Sequence, residues 1–174
     1  MRASIGIESY DTQWPRLFQE EKARIRGALD HRLLALEHIG STAVPYLGAK
    51  PIIDMMAAVE HLADAQACVG PLQSSGYEYV PEYEEGMPDR RYFHKRDAGG
   101  VVTHHLHMVV MASEFWERHL LFRDYLRTHP DIAQEYEVLK RSLADRFGSD
   151  REGYGDTKTS FIRSIEERAR RGKC

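Results

Sequence analysis

The sequence has few cysteines and no long apolar run, and both absences narrow what the chain can be. Only two of its 174 residues are cysteines, Cys68 and Cys174, so we expect neither a disulfide framework nor a Cys-x-x-Cys metal site. No apolar run approaches the ~20 residues that span a membrane, and the N-terminus lacks the apolar core of a signal peptide. We expect one cytoplasmic domain over residues 1–174, with no membrane partner.

The chain also lacks a surplus of positive charge. Its formal net charge is −3, from 24 Lys and Arg against 27 Asp and Glu. A protein that holds nucleic acid by neutralising its phosphates needs a basic surface. We therefore expect no nucleic-acid partner, although the composition is otherwise that of an ordinary globular domain.

Hydrophobic periodicity predicts an α+β fold. Helical spacing predicts helices over residues 13–29, 61–76, 113–129, 131–147 and about 156–170. Alternating or short apolar runs predict strands over residues 32–40, 50–59, 77–80, 90–97 and 101–110. Because residues 97–100 are typical of a turn, the last two strands should form an antiparallel hairpin. The architecture we expect is a mixed β-sheet flanked by helices, with a helical C-terminal third.

Asp54 is the only charged residue between Pro51 and Val59. A buried carboxylate must be paired, bound to a metal or neutral, because desolvating the bare anion is costly. Side chains alternate along a strand, which places His105 and His107 on one face of the hairpin strand. If the two strands are neighbours with matching faces, Asp54, His105 and His107 converge.

Two imidazoles and one carboxylate form a plausible set of ligands for a divalent metal. The alternative is structural, with the histidines bonded to loop backbone or lying on an open sheet face. We carry Asp54, His105 and His107 forward as candidate metal ligands, with Mg²⁺, Mn²⁺ or Zn²⁺ as the ion.

The stretch HIGSTAVPYLGAKPIIDMM resembles the GrpB family of nucleotidyltransferase-like proteins, which also occurs fused to dephospho-CoA kinase. The resemblance continues through MPDRRYFHKRD, HHLHMVV, HLLFRDYLRTHP, YEVLK and YGDTKTSFI. It implies a polymerase-beta-type nucleotidyltransferase fold. In that superfamily a Gly-Ser turn precedes a strand with an acid-x-acid pair that binds two magnesium ions, and a third acid comes from a nearby strand.

This sequence departs from the implied acid set. Gly40 and Ser41 match the turn and Asp54 matches the first acid, but Met56 takes the place of the second acid. His105 or His107 stands where the third acid is expected. Magnesium prefers oxygen ligands, so the set looks poor for two such ions. A single metal could still support transfer, an acid from Glu82, Glu84 or Glu85 could complete the site, or the site could bind a ligand without catalysis.

Several other residues are candidates for binding a nucleotide. Gly40, Ser41 and Thr42 suit a turn whose N–H groups and hydroxyls bind phosphate, although an ordinary turn has the same composition. Lys50 precedes the Asp54 strand, and Tyr154 and Lys158 share a helix face if the last helix starts early enough. Tyr154 would stack on a base and Lys158 would meet a phosphate. Arg90 and Arg91 begin a strand, and at most one of them can face the site.

The leading hypothesis is an enzyme that transfers a nucleotidyl or phosphoryl group from a nucleoside triphosphate to an unknown small molecule, with Asp54 as the catalytic residue. The competing hypothesis is a noncatalytic module that binds a nucleotide or a coenzyme A-like ligand. Metal-dependent hydrolysis at an Asp/His site is the third.

Overall fold

A five-stranded mixed sheet forms the centre of the molecule. The structure is a computed structural model that describes residues 6–148 and 150–172, apart from the side chains of residues 151–152. The strands are β1 Ala35–Ile39, β2 Ile53–Val59, β3 Tyr77–Tyr79, β4 Arg90–Arg96 and β5 Val102–Val110. Their order is β1-β2-β5-β4-β3. Among these described strands, β2 and β5 pair in parallel and the other neighbours pair antiparallel.

The described part of the chain has five α-helices around this sheet, close to the predicted bounds. They are α1 Trp14–Leu29, α2 Leu62–Ser74, α3 Glu114–Thr128, α4 Pro130–Phe147 and α5 Arg151–Arg171. The predicted start of α5 at residue 156 is wrong by five residues. The Asp150 carboxylate accepts a hydrogen bond from the backbone N–H of Gly153 and so caps the helix before its glycines.

The two faces of the sheet are covered by different helices. Apolar residues of α1 and α2 pack on one face, around Met55, Leu106 and Met108. Trp116 of α3 packs on the other face, against Met56 and Val109. Helices α4 and α5 pack on α3 and on each other, so the C-terminal third is helical, as predicted. The polar end of the second face remains open toward α4 and α5, and the candidate site lies there.

Among the described residues, no helix has the length and apolar character needed to cross a membrane.

Candidate functional site

Pairing between β2 and β5 brings Asp54 beside His105. The two residues are register partners in the parallel ladder, on the face that carries Met56. His105 Nδ1 lies 2.8 Å from Asp54 Oδ1. Burial raises the pKa of Asp54, but the hydrogen bond from His105, together with the neighbouring basic groups, outweighs this effect, and the net shift is downward. Asp54 is therefore a carboxylate at neutral pH, and the predicted approach of these two residues is found.

His107 lies on the same face but is engaged elsewhere. It pairs with Met56 in the ladder, and its Nδ1 accepts a hydrogen bond of 3.2 Å from Nη1 of Arg90. Burial, followed by the charge of Arg90, holds the pKa of His107 well below its usual value. In the part of the chain that the structure describes, no three His, Cys, Asp or Glu side chains are grouped so as to hold a metal ion. The three-ligand set of Asp54, His105 and His107 is thus not assembled.

The turn after β1 packs directly on Asp54. Gly40 has φ +71°, and a Cβ at this position would lie 2.7 Å from Asp54 Oδ2. Only glycine combines this backbone conformation with so close an approach. Ser41–Ala43 then form a short 3₁₀ turn. The Gly-Ser pair is therefore built against the carboxylate that the sequence pointed to.

Thr42 supports the turn from inside the protein. It is buried, and its hydroxyl donates to the carbonyl of Ile52 at 3.3 Å. The hydroxyl in turn accepts from Nε2 of His38 at 2.9 Å. Burial lowers the pKa of His38 to about 4, so this imidazole stays neutral. Thr42 borders the site, but its hydroxyl is committed to these two partners and holds the turn in place.

Lys140 of α4 reaches the same place and was not among the candidates from the sequence. Its side chain is 2% exposed, and its Nζ donates to Ser41 Oγ at 3.0 Å and to the carbonyl of Gly48. Burial, followed by the charge of Lys158, lowers the pKa of Lys140 to about 7. Lys140 follows Tyr136 by four residues and precedes Leu143 by three, both buried. A lysine at a core-facing helical position was the signal that could have identified it.

Two further lysines gather around Tyr154. The Nζ atoms of Lys50 and Lys158 lie 4.6 and 5.5 Å from the centre of its ring. Such distances allow cation–π attraction. Tyr154 is 4% exposed, so it positions the lysines, and the predicted stacking of this ring on a base does not fit its burial. The early start of α5 puts Tyr154 and Lys158 on one helix face, as expected.

These groups line one pocket of about 160 Å³. Lys140 lines this pocket together with the residues that the sequence proposed and the structure places here, which are Ser41, Thr42, Lys50, Asp54, His105, Tyr154 and Lys158. The pocket thus combines one carboxylate and one imidazole with three lysine side chains. A site of this charge favours an anion with several negative groups.

The predicted arginines lie outside this pocket. Arg90 is the register partner of Val109, four residues along β5 from His105. Arg91 donates to the carbonyl of Pro88 at 3.0 Å and forms an ion pair with Glu84 at 3.4 Å. The structure does not bring either arginine to the Asp54 pocket, because β5 separates β4 from β2 and both arginines pair with the far end of β5. Glu84 is held there too, by Tyr79.

The residues present do not fit a centre with two magnesium ions. Met56 is fully buried among Ile39, Ala58 and Trp116, so the position of the second acid is closed by core packing. Asp54 is the carboxylate that lines the pocket. Two clamped cations normally need several carboxylates. One divalent ion on Asp54 stays a prediction.

Comparisons with known proteins assign the family and the fold. The model of the GrpB protein family matches residues 4–168. The chain is 40% identical over 172 residues to the UPF0157 protein YqkA of Bacillus subtilis, covering 99% of this chain but only 49% of that relative. It is also 30% identical over 191 residues to a dephospho-CoA kinase of Mycolicibacterium paratuberculosis, covering 97% of this chain and 46% of that one.

Solved structures give the same result. A crystal structure of the conserved protein GrpB from Enterococcus faecalis is similar with a TM-score of 0.82 and 38% identity, over 94% of this chain and 96% of that one. Terminal uridylyl transferase 4 from Trypanosoma brucei, with bound CTP, is similar with a TM-score of 0.53 and 15% identity, over 92% and 52%. The second likeness is one of fold alone: this chain has a fold similar to that of a nucleotidyltransferase. The chain belongs to the GrpB family.

Proposed function

We propose that the Asp54 pocket binds the phosphates of a nucleoside triphosphate, and that the protein transfers a nucleotidyl or phosphoryl group from it to a small molecule. The observation that carries this proposal is the convergence of Lys50, Lys140 and Lys158 on one pocket with Asp54 and His105. The fold neighbour that was solved with CTP bound supports a nucleotide as the ligand class.

Lysines neutralise the phosphates in this proposal. Lys140 already donates to Ser41 Oγ and to a backbone carbonyl, but among the described residues no acid forms an ion pair with it. A buried ammonium without a carboxylate partner gains most from an anion. Lys50 and Lys158 line the same pocket, beside the ring of Tyr154. Phosphate binding therefore needs no metal ion, although one ion on Asp54 could add to it.

His105 is suited to act as a general base. Asp54 is ionised and can only accept a hydrogen bond, so Nδ1 of His105 carries the proton between them. In the neutral imidazole the Nε2 atom is then an unprotonated acceptor. Asp54 holds the ring in this tautomer, as the carboxylate of a catalytic triad does.

The transfer step follows from this arrangement. An acceptor hydroxyl gives its proton to Nε2 of His105, and its oxygen forms a bond to phosphorus. The bond from phosphorus to the leaving oxygen breaks, and pyrophosphate or a nucleoside diphosphate leaves with the electron pair. The lysines stabilise the charge on that leaving group.

The second candidate is a noncatalytic module that binds a nucleotide or a coenzyme A-like ligand. Met56, buried at the place of the second acid, favours it, and so does the similarity to a dephospho-CoA kinase. The two candidates agree on binding and differ on turnover.

A label-transfer assay separates them. Each nucleoside triphosphate, labelled at the α- or γ-phosphate, is incubated with the protein and a pool of bacterial small molecules, with and without Mg²⁺, Mn²⁺ or Zn²⁺. We expect labelled product with the wild type and a loss of about 10²-fold or more in His105→Ala. His104→Ala is the matched control, because His104 lies on the opposite face of β5. Nucleotide binding without labelled product supports the noncatalytic module. If neither binding nor product is found, both candidate functions are contradicted.

A further inference from the structure

A second cavity, of about 390 Å³, lies at the other end of the sheet. It is an open cavity bordered by the loop before β4, the end of β5, the first turn of α3 and Leu62 of α2. Arg90 lines it, and its strand partner Val109 is four residues from His105, or ~13 Å along β5. We propose that this cavity binds a small carboxylic acid that carries an apolar group, as a site separate from the Asp54 pocket.

Arg90 is a buried charge whose hydrogen-bond partners are neutral. It is 9% exposed. Its Nη1 donates to His107, its Nη2 donates to the carbonyl of Tyr83, and among the described residues its Nε is the buried side-chain atom left without a hydrogen-bond partner. Of the five N–H donors of a guanidinium, two are thus engaged. A buried arginine in such surroundings is stabilised by an anion beside it, and a carboxylate suits the N–H donors that remain on its two Nη atoms.

The rest of the cavity wall limits the kind of anion. Leu62, Met87 and Phe115 give it an apolar side, and Met87 is 50% exposed. The carboxylates of Asp89 and Glu114 also line it and are exposed to solvent. Arg118 lines the cavity as well, but its guanidinium is paired with Glu166 at 3.0 Å. The two exposed carboxylates repel a polyphosphate, but they tolerate a single carboxylate and would attract an ammonium group. An acid with one negative charge and an apolar group fits this wall, and an amino acid is one source of it.

Three small molecules of matched shape test the site by NMR titration of the whole chain. Leucine carries both charges, 4-methylpentanoate lacks the ammonium, and 3-methylbutylamine lacks the carboxylate. We expect the two acids to shift signals of Leu62, Met87 and Phe115 and to leave Ser41 and Lys140 unchanged. Tighter binding of leucine identifies an amino acid, and equal binding identifies a simple acid.

Variants decide whether Arg90 holds the acid. Arg90→Met should weaken binding by about tenfold or more, whereas Arg96→Met, on the same strand but exposed, and Asp54→Ala should bind as the wild type does. No shifts with either acid at millimolar concentration would overturn the proposal, as would equal binding of the amine or full binding by Arg90→Met. If Arg90→Met does not fold, the map of wild-type shifts and the comparison with the amine still decide.

Discussion

Triphosphate binding should depend on pH through Lys140. The perturbation is Lys140→Met, which removes the charge and keeps most of the apolar side chain. In the free protein the pKa of Lys140 is lowered to about 7, by burial and then by Lys158, and the acids Glu137 and Asp54 oppose the shift. An anion in the pocket favours the charged amine and so raises this pKa.

The size of the effect follows from this pKa. The ligand binds the form of the protein in which Lys140 is protonated. Above pH 7 the population of that form in the free protein falls about tenfold with each pH unit. Wild-type affinity should therefore fall by up to about tenfold for each unit between pH 7.5 and 9. The phosphates are fully ionised in this range, because their last pKa is near ~6. Lys140→Met should bind more weakly at pH 7 and show a nearly flat profile.

Calorimetric titration with a nonhydrolysable triphosphate measures both profiles. Lys22→Met, a change in α1 away from the pocket, is the control and should follow the wild type. Equal pH dependence in the wild type and in Lys140→Met would refute the reasoning.

Three other predictions concern the same site. Gly40→Ala should lower the free energy of unfolding by about 2 kcal/mol, because the added Cβ would contact Asp54 at a residue with positive φ. Urea denaturation measures this loss. In the control Gly27→Ala the added Cβ meets nothing within 4 Å, so this variant should be neutral or stabilising. Met56→Asp should lower the free energy of unfolding by about 3 kcal/mol or more and should not increase turnover, because it buries a carboxylate in the core. A variant that is both stable and more active would contradict this prediction. The folded-state pKa of Lys140 is about 7, against 10.5 in the unfolded chain, so wild-type stability should rise with pH between these values, at up to ~1.4 kcal/mol for each unit. A stability difference from Lys140→Met that does not change with pH would show that folding does not lower the pKa of this amine.

Local patterns predicted the strands and the face of each side chain. Alternation along β2 and β5 was enough to place Asp54 and His105 on matching faces once the strands paired. The parallel pairing itself, with β5 between β2 and β4, depends on contacts distant in sequence. Because β5 lies between β2 and β4 and pairs Arg90 with Val109, the two candidate arginines lie away from the Asp54 pocket.

Side chains whose surroundings come from several elements were the hardest to predict. Lys140 is easily taken for an exposed helical lysine, because its burial depends on the loop around Gly48 and on α5. His107 was placed on the correct face, but its bond to Arg90 comes from β4. Tyr154 was expected to meet a base, but the packing of α5 buries its ring against Leu143 and Ala144, with two lysines nearby.

The most direct test of the central claim is a calorimetric titration of a nucleoside triphosphate in the presence of EDTA, with the wild type, Lys158→Met and Lys22→Met. The account predicts binding by the wild type and by Lys22→Met, and a loss of about tenfold or more in Lys158→Met. Binding that is absent in EDTA, or that is the same in Lys158→Met, would contradict a phosphate site built from lysines.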